Sequence, residues 1–125
     1  MIHWREQEVR NETSSREINE WIDDANQHSG LPADPFVCEC SDASCPSTIT
    51  LTHVEYEGVR AHATYFAIAT DHETPDLDAM VSEHPGFTIV LKLPGMPARI
   101  ASASDPRRTT QHPLGNGEGV VRSEN

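Results

Sequence analysis

The chain has 125 residues, with 20 acidic and nine basic side chains, a formal net charge of −11 at pH 7 and an apolar fraction of 36%. This length predicts one domain with a small core, and the negative charge argues against direct binding to a nucleic-acid backbone. Only three acidic residues, Asp105, Glu118 and Glu124, lie beyond residue 93. The acidity therefore belongs to the part predicted to fold, where it serves solubility or attracts a basic protein partner.

The sequence contains no apolar run that approaches the 18 or so residues of a membrane-spanning helix. The first residues lack the basic region and apolar block of a signal peptide. An odd number of cysteines also argues against a disulfide framework. We therefore expect a cytoplasmic protein that does not insert into a membrane.

The first predicted helix begins at a capping box formed by Ser14 and Glu17. Residues 1–13 are mostly polar, so we expect them to be flexible or to extend this helix. Four apolar residues then recur at helical spacing and form one stripe. We predict that the stripe packs on the sheet, and the alternative is a dimer or partner face. The stripe comprises Ile18, Trp21, Ile22 and Ala25.

All three cysteines lie within eight residues: two belong to the predicted strand Phe36–Cys40, and Cys45 lies in the turn before the predicted strand Thr48–Leu51. Cys38 and Cys40 are two apart, so in an extended segment their side chains leave the same face. The small, turn-forming residues that follow let the chain reverse before Cys45. Three sulfurs would then converge at the end of a β-hairpin. Zinc prefers four such ligands in a tetrahedron, and one more is needed.

The fourth ligand has several candidates among the seven histidines. His53 follows the hairpin directly, and His72 follows a later predicted strand. Spacing alone leaves these two close together, with Asp42, Glu39 or water as further alternatives. The cysteines themselves have two other interpretations, namely reduced thiols or an iron–sulfur cluster.

The rest of the folding unit alternates helices and strands. Thr52 and Glu55 form a second capping box, which predicts a helix to about Ala61, with Val54, Tyr56 and Val59 facing the core. A strand is predicted at Tyr65–Thr70. A further helix is expected from Pro75, with Leu77, Met80 and Val81 as its apolar stripe. A last strand is predicted at Phe87–Leu93.

These elements predict a small single α+β domain in the order helix, β-hairpin, helix, strand, helix, strand, with the hairpin clamped by zinc. We place the zinc-binding domain at residues 14–93. Residues 94–125 are rich in Ser, Thr, Pro and Gly, so we expect a mostly disordered tail.

The cysteine segment and the residues after it resemble a family of small uncharacterised actinobacterial proteins, over residues 17–92. The family's histidine usually follows a glycine, whereas Asp71 precedes His72 here. The resemblance implies this architecture and a Cys3His site with His72 as the fourth ligand, and it implies no reaction. The matching residues are Phe36, Val37, Cys38, Glu39, Cys40, Cys45, Ile49, Leu51, Thr52, Glu55, Tyr56, Glu57, Val59, Arg60, Phe66, His72 and the strand at 89–92.

The predicted metal site, Cys38, Cys40, Cys45 and His72, favours a structural zinc over a catalytic one. Three thiolates weaken zinc as a Lewis acid, and the sequence carries no zinc-hydrolase or deaminase motif. Glu39 would serve as an acid–base group only if its side chain turned back toward the metal. We therefore predict a protein-interaction or regulatory module that is not an enzyme. The alternatives are a redox-responsive or zinc-responsive switch and a zinc hydrolase.

Overall fold

A computed structural model describes residues 3–26 and 32–107 of the chain. They form one small α+β domain, which confirms the predicted fold class. Three helices accompany two antiparallel sheets within this part of the chain. In chain order the elements are α1 (His3–Asn26), β1 (Asp34–Val37), β2 (Thr48–Leu51), α2 (His53–Arg60), β3 (Tyr65–Ile68), β4 (Asp78–His84), β5 (Phe87–Lys92) and α3 (Met96–Ala103).

The two sheets meet at the cysteine segment. Strands β1 and β2 form the predicted hairpin, with Phe36 opposite Ile49. The second sheet has the strand order β3–β5–β4. The Glu39 amide, just beyond β1, donates to the carbonyl of Ala67 in β3 over 3.0 Å. The chain that carries the cysteines therefore leaves one sheet and pairs with the edge of the other.

The core consists of two clusters of buried side chains. Phe36 and Tyr56 stack with their ring centroids 4.6 Å apart, and they anchor the first cluster between the hairpin and α2. The second cluster lies between the three-stranded sheet, α3 and the cysteine segment. It comprises Cys38, Cys40, Phe66, Ile68, Val90 and Ala101. Two of the candidate metal ligands, Cys38 and Cys40, are thus part of the packed interior.

Helix α1 is longer than predicted. It begins at His3 rather than near Ser14, which is an exposed residue in the middle of the helix. Of the two expectations for residues 1–13, extension of the helix is confirmed from His3 onward, and the flexible segment is wrong there. Val9 and Glu12 are fully buried, so this half of the helix is held by tertiary contacts that no local capping signal reveals.

The predicted packing face of α1 is wrong except at Ile22, which packs against the first core cluster. Ile18 is 46% and Trp21 is 78% exposed. The buried face carries Arg16 instead, which donates from Nη1 to the carbonyl of Ala63 over 2.6 Å and from Nη2 to that of Ala101 over 2.8 Å. Buried carbonyls need donors, and a guanidinium supplies several at once. None of the helices in the described ranges is long and apolar enough to cross a membrane.

The capping box of α2 forms as predicted, with Thr52 Oγ1 accepting from the Glu55 amide over 3.0 Å. Tyr56 and Val59 are buried as expected. Val54 is 79% exposed, so its predicted place in the core is wrong. Helix α2 packs against β2 and β3, and the side of the helix that carries Val54 does not face these strands.

The helix expected from Pro75 is a strand, β4, which begins at Asp78. The Thr74 carbonyl accepts from the amides of Leu77 and Asp78, so a single turn forms before the chain extends. Asp78 then enters a buried ion pair with Lys92 of β5. The turn after β4 contains Gly86 at φ 89°, a conformation that favours glycine. Leu77, Met80 and Val81 have helical spacing, but pairing with β5 and the turn at Gly86 make this segment a strand.

The predicted tail begins later than expected. Residues 96–103 form α3, with Pro97 in its first turn and Ala101 fully buried. Asp105 is also buried and pairs with Arg60. The prediction of a mostly disordered segment from Pro94 is therefore wrong up to Arg107. The remainder of that prediction, residues 108–125, lies outside the described residues.

A buried charge cluster ties α1 to the second sheet. Lys92 Nζ lies 2.5 Å from Glu12 Oε1 and also pairs with Asp78. All three side chains are buried. Burial raises the pKa of Glu12 to about 7; the attraction of Lys92 opposes this rise, and the charge of Asp78 adds to it. The single cation Lys92 therefore pairs with two buried carboxylates, and burial favours the protonated form of Glu12.

This cluster predicts that stability falls as the pH rises through the weakly acidic range. Unfolded Glu12 ionises near pH 4.5 and folded Glu12 near pH 7. Between these values the folded chain holds a proton that the unfolded chain has lost, so rising pH favours unfolding. We expect a loss of about 3 kcal/mol across this interval. Urea denaturation at stepped pH measures it.

The matched control is Glu12→Gln, which removes the titrating group and retains its shape. Acid also weakens metal binding, which lowers stability at low pH in both proteins. The difference between their free energies of unfolding at each pH therefore reports the titration of Glu12 alone. Parallel pH profiles for the two proteins would contradict the assignment.

Candidate metal centre

Four side chains from two loops converge at the junction of the two sheets. Cys38 and Cys40 follow β1, Cys45 precedes β2, and His72 lies between β3 and β4. Their ligand atoms, three Sγ and one imidazole nitrogen, all lie within 4.8 Å of one another. The structure thus brings together all four residues of the predicted site, close enough to bind a metal ion.

The turn that carries Cys45 is organised by Asp42. Its Oδ1 accepts hydrogen bonds from the Ser44 amide over 2.9 Å and from Ser44 Oγ over 2.8 Å. These hydrogen bonds hold the pKa of the Asp42 carboxyl below its usual value. The Cys45 amide donates to the Asp42 carbonyl over 3.1 Å. The carboxylate of Asp42 therefore shapes the turn, and its oxygen is engaged there.

The loop of His72 is fastened to the cysteine segment at two points. The Ala69 amide donates to Cys38 Sγ over 3.1 Å, and Ser41 Oγ lies 3.0 Å from Thr74 Oγ1. Between these points the His72 amide donates to the Ala69 carbonyl over 3.1 Å. The imidazole is consequently held beside the sulfurs by its own backbone.

The residue before His72 adopts a conformation that favours glycine. Asp71 has φ 70° and is the single residue other than glycine with a positive φ among those described. Aspartate tolerates this region better than most residues, and a β-branched side chain is strained there. Asp71 thus supplies the backbone bend that aims His72 at the sulfurs.

We expect Asp71→Val to lower the free energy of unfolding by about 1–2 kcal/mol through backbone strain. Asp71→Gly should remain within about 0.5 kcal/mol of the parent, since relief of strain offsets the greater freedom of the unfolded chain. Thr70→Val, at the neighbouring exposed position, is the matched control. Chemical denaturation measures all three, and equal stabilities for the two valine variants would contradict the role of φ.

Two of the sulfur–nitrogen distances match the edges of a tetrahedral zinc site. Nδ1 of His72 lies 3.5 Å from Cys38 Sγ and 3.6 Å from Cys45 Sγ. A tetrahedron with zinc–sulfur and zinc–nitrogen bonds of normal length has sulfur–nitrogen edges of about 3.6 Å. Nδ1 is therefore the ligand nitrogen that the geometry favours. Three soft sulfurs and one imidazole also form a donor set that suits zinc.

The three thiols differ in how readily they ionise. Burial raises the pKa of Cys38 and of Cys40. Burial acts in the same direction on Cys45, but hydrogen bonds from Ser47 and the neighbouring thiols outweigh it and lower the pKa of Cys45. Thiolates are the metal-binding form, so a bound cation must displace protons from the two buried thiols. Metal affinity therefore rises with pH.

Glu39 lies between two candidate ligands but faces away from them. It is fully buried, and its carboxylate accepts from Asn19 Nδ2 over 2.7 Å and from the Ala67 amide over 2.9 Å. Burial raises its pKa despite these hydrogen bonds. Glu39 joins α1, the cysteine segment and β3. Sequence reasoning missed this structural role because both partners are remote in the chain.

His53, the rival fourth ligand, belongs to a different group. Its Nδ1 lies 2.8 Å from Asp23 Oδ1, and Glu57 completes a second cluster of potential ligand atoms. Arg107 engages Glu57 through hydrogen bonds of 2.9 and 2.7 Å. This cluster joins α1 to α2 and was missed from the sequence, where Asp23 and His53 are 30 residues apart.

The fold and the cluster of three cysteines and His72 define the chain as a small α+β domain with a candidate Cys3His metal-binding site. Comparison with protein-family models, with curated proteins and with solved structures gave no match. The resemblance to the actinobacterial family remains a prediction.

Proposed function

We propose that the chain is a structural-zinc protein that serves as a protein-interaction or regulatory module. The observation that carries this proposal is the fourfold ligand set, with sulfur–nitrogen distances of 3.5 and 3.6 Å. Four protein ligands complete a zinc tetrahedron and leave no position for a reacting water. Zinc, when bound, would stabilise the fold by linking its four ligands and would not take part in a reaction.

The position of Glu39 supports a structural role over catalysis. A catalytic zinc needs a nearby carboxylate to move a proton. The Glu39 carboxylate is instead engaged by hydrogen bonds from Asn19 Nδ2 and the Ala67 amide. Glu39 is therefore not available as an acid–base group at the metal, which agrees with a non-enzymatic module.

Metal content and the metal's ligand sphere test the proposal. Protein purified without chelator should carry about one zinc per chain, and X-ray absorption should count three sulfurs and one nitrogen. Three sulfurs with a water oxygen would revive the hydrolase alternative. Protein free of metal, with three titratable thiols and the same melting temperature after EDTA, would overturn the proposal.

Redox control is the second candidate, and the exposure of Cys45 favours it. Cys38 and Cys40 are buried, whereas Cys45 is partly exposed. A peroxide could therefore oxidise two thiolates to a disulfide: the peroxide accepts two electrons from the sulfurs and two protons from solvent, leaves as two waters, and the zinc is released. Release of zinc to a chromogenic chelator on peroxide treatment, reversed by thiol reductant, would support this candidate. Retention of zinc at millimolar peroxide would exclude it.

A further inference from the structure

The outer face of α1 carries a continuous stripe that the domain leaves exposed. Ser14, Ile18, Trp21 and Ala25 are all exposed and are spaced by four, three and four residues. Residues at this spacing lie along one side of a helix. The buried residues of α1 lie on the opposite side, and Trp21 is 78% exposed. We call these four residues the Trp21 stripe.

The spacing of the stripe identifies the shape of its partner. Alternation of three and four residues is the a/d pattern of a helix that packs lengthwise on another helix. Tryptophan is the residue most enriched among those that dominate binding energy at interfaces. A partner helix with its own apolar stripe would bury Ile18 and Trp21 together.

The charges beside the stripe identify the partner's chemistry. Glu17 and Asp24 are exposed and fall one residue before Ile18 and Ala25, at the two flanking g positions of the pattern. The basic residue within this stretch, Arg16, is buried and faces inward. A partner helix therefore meets two carboxylates along its edge, so it is favoured by lysine or arginine there.

The same charges argue against a second copy of this chain as the occupant. An antiparallel pairing of two copies would set the g-position carboxylates of both helices against each other, which destabilises a coiled coil. Each copy also carries a net charge of −11. Self-association through this face is disfavoured on both counts.

We propose that the Trp21 stripe docks one amphipathic helix of a basic partner protein. This inference rests on the proposed function, because it names the surface and the partner class of the interaction module. The zinc site lies elsewhere in the domain, at the junction of the two sheets. Binding to the stripe and zinc content can consequently be measured separately.

Two synthetic helices test the proposal on the full-length, zinc-loaded protein. Both have about three heptads with leucine at a and d, and they carry either lysine or glutamate at e and g. Trp4→Phe leaves Trp21 as the single tryptophan in the chain, so its fluorescence reports binding. We expect a blue shift with the lysine peptide, an affinity that falls as salt is added, and little response to the glutamate peptide.

Substitutions locate the contact. Trp21→Ala, followed by peptide-side fluorescence, should weaken binding of the lysine peptide about tenfold or more. Met80→Ala, at a 50% exposed apolar residue on β4, is the matched control and should leave affinity unchanged. The double change Glu17→Lys with Asp24→Lys should transfer the preference to the glutamate peptide.

Each of the following results would overturn the inference. They are equal binding of both peptides, an affinity insensitive to Trp21→Ala, and sedimentation that shows a dimer of the parent protein abolished by Trp21→Ala. The last would assign the stripe to a second copy. Zinc-loaded protein that binds neither peptide would overturn the docking face alone, whereas protein without zinc would count against the proposed function.

Discussion

Replacing His72 by alanine is expected to weaken zinc binding by at least about 100-fold and to lower stability by about 3 kcal/mol or more. The reason is geometric. Nδ1 of His72 lies within 3.6 Å of two of the sulfurs, and it is the ligand contributed by the second sheet. Without it the metal would hold one hairpin, which is marginal by itself. Competition with a chelator and denaturation with and without zinc measure the two losses.

His53→Ala is the matched control for this experiment. His53 is half exposed and pairs with Asp23, so its loss removes a surface interaction and no metal ligand. Proximity to Asp23 raises the pKa of His53, and the pair is strongest below that pKa. If His53→Ala lost zinc while His72→Ala retained it, the assignment of the fourth ligand would be wrong.

Replacing Lys92 by methionine should cost about 3–5 kcal/mol of stability, because it leaves the Asp78 carboxylate buried without its cation and removes the group that stabilises ionised Glu12. Glu12 and Asp78 are both buried against Lys92 Nζ. Burial of an unpaired charge is far more costly than the loss of an exposed pair. Denaturant unfolding at neutral pH measures the loss.

Two comparisons separate charge from packing in this variant. Arg10→Met breaks an exposed pair with Glu6 on the same helix and should cost less than about 1 kcal/mol. Adding Glu12→Gln and Asp78→Asn to Lys92→Met should recover part of the stability, since no charge then remains buried in the cluster. A cost for Lys92→Met no larger than that for Arg10→Met would refute the buried-charge account.

The candidate site was predictable from the sequence because three of its ligands are local. The spacing of Cys38, Cys40 and Cys45 within one hairpin brings their sulfurs together whatever the rest of the fold does. The fourth ligand is not local, and spacing did not distinguish His72 from His53. That choice depended on the family resemblance, and the structure places His72 at the sulfurs.

The inward face of α1 was not predictable by hydrophobic patterning. Arg16 is buried because it donates to the carbonyls of Ala63 and Ala101, which lie 47 and 85 residues away. No periodicity in the sequence records such partners. Apolar Ile18 and Trp21 satisfied a helical pattern that the tertiary structure does not use for the core.

Strand β4 was missed for a different reason. Met80 and Val81 fit a helical stripe with Leu77, but a short apolar run does not distinguish a helix from a strand. Pairing with β5 and the ion pair between Asp78 and Lys92 decide the outcome. The same kind of long-range polar contact, between Arg60 and Asp105, extends the domain past the predicted boundary at residue 93.

The separation of His72 from Cys45, 27 residues along the chain, has a consequence for folding kinetics. In sites with sequence-adjacent ligands, a metal can be captured by a local segment early in folding. Here a loop must close before the ligand set is complete, and closure of that loop carries an entropic cost. During synthesis the fourth ligand becomes available only after β3 has emerged. Zinc capture by all four ligands should therefore coincide with docking of the hairpin on the second sheet, and the metal would act mainly to slow the separation of the two.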